Sequence, residues 1–104
     1  MTFRSRKFLN LAHTCTLCCA DFPHQCVGYQ GCEPAHSDSS LFGRGMRHKS
    51  ADWAVAFICH NAHVLLTAKV NDDMDRETKF YHWLRAFART QDYLWENGKL
   101  KVTP

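Results

Sequence analysis

Two short ligand pairs lie far apart in the chain, and they constrain its fold more than any other feature. Cys15-x2-Cys18 stands near the start, and Cys59-x3-His63 follows an apolar run some forty residues later. A tight C-x2-C turn aims both thiolates at one point, and a cysteine and histidine one helical turn apart also converge. If both pairs meet around one ion, they staple a loop that a small core alone holds weakly. His36, flanked by small Ala35 and Ser37, lies inside that loop and would be fixed in place.

The chain has 104 residues, enough for one domain with a modest core. Its 45% hydrophobic and 22% charged residues are an ordinary globular balance that argues against wholesale disorder, and a net charge of +3 suits a polyanionic partner without demanding one. Six cysteines invite a disulfide reading. Against it, residues 1–10 carry no apolar signal-peptide region, and four of the cysteines have ligand-like spacing to a Cys or His. A zinc-bearing protein of a reducing cytoplasm is the expectation, with no membrane span.

Along the chain, residues 3–14 pattern as a short basic helix, and 14–31 as a Cys-rich loop broken by Pro23 and Gly28. Residues 32–37 read as a strand and 38–51 as a polar loop. The run Trp53-Ala54-Val55-Ala56-Phe57-Ile58 reads as a second strand. Asn61 is placed to cap a helix from about 62 to 69. A longer helix over about 73–97 follows the polar break at 71–73 and stops at Asn97-Gly98. Its expected packing stripe is Phe80, Leu84, Phe87, Gln91 and Leu94, with Trp83 and Trp95 at the margins. The tail 99–104 is a candidate short strand. The expected fold is α+β: a zinc-stapled strand-strand-helix core over about 12–70 with an additional C-terminal packing helix, all in one domain.

The residues that could carry chemistry follow from this outline. A neutral imidazole at His36, at a strand end, can take a proton from water. Asp52, before the second strand, can orient it or cap the turn. The loop Gly43-Arg44-Gly45-Met46-Arg47-His48-Lys49 offers Arg44, Arg47 and Lys49 to a phosphate backbone. Cys15, Cys18, Cys59 and His63 are the expected metal ligands, with Cys26, Cys32 and His60 as competing candidates for the fourth place. Cys19 reads as core filling.

Taken in order, Ala35-His36-Ser37-Asp38, Gly43-Arg44-Gly45-Met46, Lys49-Ser50-Ala51-Asp52 and Ala56-Phe57-Ile58-Cys59 resemble prophage-encoded nucleases of the YbcO type. These are members of the wider HNH, or ββα-metal, endonucleases. Trp83-Leu84-Arg85-Ala86, Arg89-Thr90 and Gly98-Lys99-Leu100-Lys101 extend the resemblance to the last helix and tail. It implies a metal-dependent endonuclease of a bacterial host cytoplasm that hydrolyses DNA phosphodiester bonds. His36 would be the general base, and His63 the helix ligand of a catalytic magnesium or manganese ion. Cys15, Cys18 and Cys59 would bind structural zinc, and two copies would pair to reach both strands. The chain departs from the pattern at Ala62, where a second cysteine is expected, at Thr67, where an acid is expected, and at Asp38, where asparagine is expected. Those departures keep open a second reading, a catalytically degenerate zinc-stapled module that binds nucleic acid.

Overall fold

The computed structural model describes residues 3–37, 50–67 and 74–102. Three helices, α1 (Arg6–Thr14), α2 (His60–Thr67) and α3 (Arg76–Glu96), surround a two-stranded antiparallel sheet of β1 (Glu33–His36) and β2 (Val55–Ile58). A 3-10 turn over Gly28–Gln30 precedes β1. The result is a small α+β protein, and no helix among the described residues is long and apolar enough to cross a membrane.

Local chemistry sets the boundaries. The Ser5 hydroxyl accepts the Phe8 N–H and starts α1, and the Asp75 carboxylate does the same for Thr78 at the head of α3. At the far end of α3, Gly98 takes φ 69°. The Lys99 N–H returns to the Leu94 carbonyl and the Gly98 N–H to that of Trp95, a Schellman closure that needs the left-handed glycine. Past this stop, residues 99–102 continue without joining the sheet, in contrast to the strand expected there.

One boundary and one packing face differ from expectation for physical reasons. Helix α2 begins at His60, because the Asn61 side chain donates to the Gln25 carbonyl instead of capping. The buried face of α3 is Trp83, Ala86, Thr90 and Leu94, whereas Leu84 is 42% exposed. Hydrophobicity favoured Leu84. Small Ala86 and Thr90, however, let the helix approach β2 closely, and Trp83 gains a polar partner by donating Nε1–H to the Ala35 carbonyl at 2.8 Å. Trp83 also stacks between Phe80 and Phe87, at ring separations of 6.0 and 5.1 Å.

Strand β2 is buried at every position and forms the centre of the core with Leu94 and Phe22. Pro34 lies opposite Phe57, whose own polar groups face away from β1. The Phe57 N–H donates to Thr90 Oγ1 at 2.9 Å, and its carbonyl accepts the Cys19 N–H at 3.0 Å. A proline is tolerated in β1 because the ladder requires no donor at that position. The same two bonds tie α3 and the Cys-rich loop to the hairpin.

Candidate metal centre and histidine–carboxylate groups

Cys18, His24, Cys26 and Cys59 come together, with one ligand atom from each lying within 4.8 Å of all the others. The loop after α1 supplies three of them, and the end of β2 supplies Cys59. The donor set is three sulfurs and one imidazole, which suits a tetrahedral ion such as zinc.

Hydrogen bonds prepare each ligand. His24 Nδ1 lies 2.7 Å from the Phe22 carbonyl, which fixes the proton there and leaves the Nε2 lone pair 3.7 Å from Cys18 Sγ. All three sulfurs accept a backbone N–H: Cys18 from Cys59 at 3.2 Å, Cys26 from Gly28 at 3.4 Å and Cys59 from Ala62 at 3.5 Å. A neutral thiol is a weak acceptor, whereas a thiolate accepts well, so three aligned amides fit a charged, metal-bearing state. The Cys18 thiol is pushed down to about 4, with its contact to Cys32 the largest cause and the Cys59 amide assisting against burial. Gly28's amide pulls the Cys26 thiol down, but burial and the nearby Cys18 and Cys59 together push it up. A cation would relieve that mutual repulsion.

Of the expected ligands, then, Cys18 and Cys59 fall in this group, and Cys15 and His63 do not. Cys15 is buried beside Cys19 and Cys32, with its sulfur 3.1 Å from the Leu17 carbonyl. His24 was missed by the sequence reading, although His24-x-Cys26 beside Pro23 was a visible signal. Ala62, where the family resemblance expects a thiolate, contributes its N–H to Cys59 instead.

His36 lies at the end of β1 with its side chain 20% exposed, and its Nε2 is 3.0 Å from Asp52 Oδ1. Asp52 is held in turn by the Ser5 N–H at 2.7 Å and by Arg4 at 3.2 Å. Burial opposes its ionisation, but the hydrogen bonds from His36, Ser5 and Arg4 outweigh it and hold the carboxyl below its usual range. Helix α1 thus reaches the hairpin through its own N-cap. With Nε2–H donating to Asp52, the Nδ1 lone pair is the basic position of the ring.

His63 belongs to a third group. Glu33 takes His63 Nδ1 at 2.7 Å with one oxygen and His60 Nδ1 at 2.8 Å with the other. Burial raises the Glu33 carboxyl, but the two imidazoles outweigh it and bring it below its usual range. Thr67 turns its hydroxyl back to the His63 carbonyl. Glu33 and His36 stand three residues apart on β1, roughly 10 Å along the strand, so the structure does not join His36 and His63 in one group. Arg44, Arg47 and Lys49 lie outside the described residues, as does Asp38.

Comparisons with protein-family models, with curated proteins and with solved structures return no match.

Proposed function

We propose that the protein is a metal-dependent endonuclease of the HNH type that hydrolyses DNA phosphodiester bonds, with His36 as general base. The observation that carries this reading is the hydrogen-bonded His36–Asp52 pair at the end of β1, where the His36 ring stays partly exposed. That strand belongs to a hairpin whose other end is bound to the Cys18, His24, Cys26 and Cys59 group. His36 takes the proton of the attacking water at Nδ1, while Asp52 steadies the imidazolium through Nε2. Arg4, Ser5 and the strand fix that pair, so little reorganisation accompanies proton transfer. Arg44, Arg47 and Lys49 hold the backbone, and no base-reading motif is evident in the sequence.

His63, with Glu33 and His60 beside it, would hold the catalytic divalent ion that this reading calls for. One carboxylate orients two imidazoles through their Nδ1 atoms and leaves each Nε2 for a ligand role. When bound, magnesium or manganese supplies charge neutralisation at the phosphate and leaving oxygen.

The test is nicking of supercoiled plasmid in magnesium or manganese. His36→Ala should abolish it with the far-ultraviolet circular dichroism spectrum unchanged, and undiminished cleavage would remove the mechanism. The separation of His36 from His63 favours a second reading, a zinc-stapled module that binds nucleic acid without turnover. Salt-sensitive DNA binding with no cleavage at any metal concentration would select that one.

A further inference from the structure

The net charge of +3 belongs to the first twenty residues. Arg4, Arg6 and Lys7 stand there without any Asp or Glu, and the cations and anions of the remaining sequence cancel. Folding sorts this segment into two faces of α1. Ala12 is buried, and Phe8, Leu9 and Leu11 pack on the core, with the Phe8 ring 6.3 Å from that of Phe57. Arg6, Lys7, Asn10, His13 and Thr14 are exposed on the opposite side. That face carries side-chain donors and no carboxylate. Among the described residues neither Arg6 nor Lys7 is paired with an acid.

The helix itself does not favour cations at this place. Its first turn presents unpaired N–H groups and a partial positive charge, so Arg and Lys there weaken it where an acid would support it. The first turn of α1 has no acid of its own. Asp52 reaches this end and accepts the Ser5 N–H at 2.7 Å, but it also serves Arg4 and His36. Cations and helix dipole therefore add into one positive field, which a bound polyanion would compensate. The field begins beside His36. One oxygen, Asp52 Oδ1, touches both Arg4 at 3.2 Å and His36 at 3.0 Å, and the Arg4 side chain is 44% exposed. The Asp52 N–H donates to the Phe3 carbonyl at 3.0 Å and Arg4 donates to that of Ser50 at 2.5 Å, which clamps residues 3–5 along 50–52. Helix α1 thus sets out from the edge of the His36–Asp52 pair. Its nine residues rise about 13.5 Å, or about four phosphates of one DNA strand at roughly 3.4 Å each.

We propose that the exposed face of α1 docks the phosphate backbone of duplex DNA, with Arg6 and Lys7 each neutralising a phosphate next to the one presented to His36. The inference rests on the DNA-directed reading above and gives it a binding surface separate from the loop of Arg44, Arg47 and Lys49. Asn10 and His13 add donors further along the same strand. Contacts of this kind fix the register of the duplex and carry no sequence information.

Salt dependence of DNA affinity tests this, read by fluorescence anisotropy of a labelled duplex with the full chain, without added magnesium or manganese. The double variant Arg6→Gln, Lys7→Gln should flatten the slope of log K against log salt by about 1.8, from two phosphate contacts at about 0.9 each. Glutamine is a strong helix former and relieves the first turn of α1, so the melting temperature should hold or rise. Lys99→Gln, Lys101→Gln removes the same charge beyond the C-terminal end of α3 and should leave the slope as in the wild type. An unaltered slope in the α1 variant, or equal flattening in both variants, would overturn the proposal. So would tighter binding to phosphatidylserine vesicles than to the duplex, which would make α1 a lipid-facing helix. A wild type that binds DNA with the slope unmoved by the α1 variant removes this surface alone, whereas one that binds no DNA removes the underlying reading with it. Binding without nicking, with the slope flattened as expected, upholds the docking face.

Discussion

Replacing Gly28 with alanine should damage the metal centre without removing a ligand. A Cβ at that position would stand 2.9 Å from Cys18 Cβ, 3.2 Å from the Cys18 nitrogen and 3.4 Å from Cys26 Sγ. Carbon atoms in contact prefer about 3.5–4.0 Å, so the Cys18 turn and the Gly28 turn must separate by roughly 0.6–1.1 Å. A metal site tolerates only about 0.2 Å of error in its ligand distances. Overpacking of this kind costs about 1–3 kcal/mol. Displacing the supports of a ligand typically weakens metal binding about 10- to 100-fold. Gly98→Ala is the matched control: its φ of 69° strains an alanine by about 1 kcal/mol, yet nothing lies within 4 Å of its Cβ. Competition for zinc against a chromogenic chelator, with thermal melting alongside, reads both effects. Gly28→Ala should lose affinity while Gly98→Ala loses only stability. Equal zinc affinities in the two variants would refute the packing argument.

Thr90→Val keeps the shape of α3 but removes the acceptor for the buried Phe57 N–H. It should cost about 1–3 kcal/mol in urea unfolding, and an unchanged midpoint would show that the bond contributes nothing. Asp52→Asn should reduce plasmid nicking about 10²- to 10⁴-fold, because the ring of His36 loses its orienting charge; full activity would detach Asp52 from the chemistry. Asp52 is also held below its ordinary value of 3.8 in the folded state, so its contribution to stability is complete above that value and is lost as pH falls through the depressed one. Acid titration of Asp52→Asn, followed by circular dichroism, should therefore show a shallower loss of stability below pH 3.8 than the wild type. A superimposable acid limb would contradict that linkage. Charge-reversing Glu33→Lys should release His60 and His63 and leave zinc content unchanged, since neither histidine belongs to the sulfur group. Loss of zinc would place them inside it.

The hairpin and its three helices were legible because their signals are local. Val55 to Ile58 is β-branched and aromatic at the right length, and Gly98 supplies the stop of α3. The pairing of front thiols with Cys59 was legible in the same way, since Cys18 and Cys59 bracket the strands. What escaped the sequence was decided by tertiary partners. Leu84 outranks Ala86 and Thr90 on any hydrophobic scale, yet close approach to β2 and the Phe57 amide select the smaller pair. Cys15 has the spacing of a ligand, but the bonds at Ala12 and Leu17 draw it towards Cys19 and Cys32. His24 carries no periodic signal, and the Phe22 carbonyl and ring together turn its Nε2 towards sulfur. His63 looked like a ligand of an ion, and its nearest partner is the carboxylate of Glu33, thirty residues earlier.

Zinc-edge X-ray absorption of the purified wild type, repeated on His24→Ala, bears most directly on the stapling of the front loop to the hairpin. Ligation by Cys18, His24, Cys26 and Cys59 predicts sulfur at roughly 2.3 Å together with an imidazole nitrogen at roughly 2.0–2.1 Å. The imidazole signal should disappear in the variant. A wild-type protein without tightly held metal, or a spectrum that His24→Ala leaves unaltered, would contradict it.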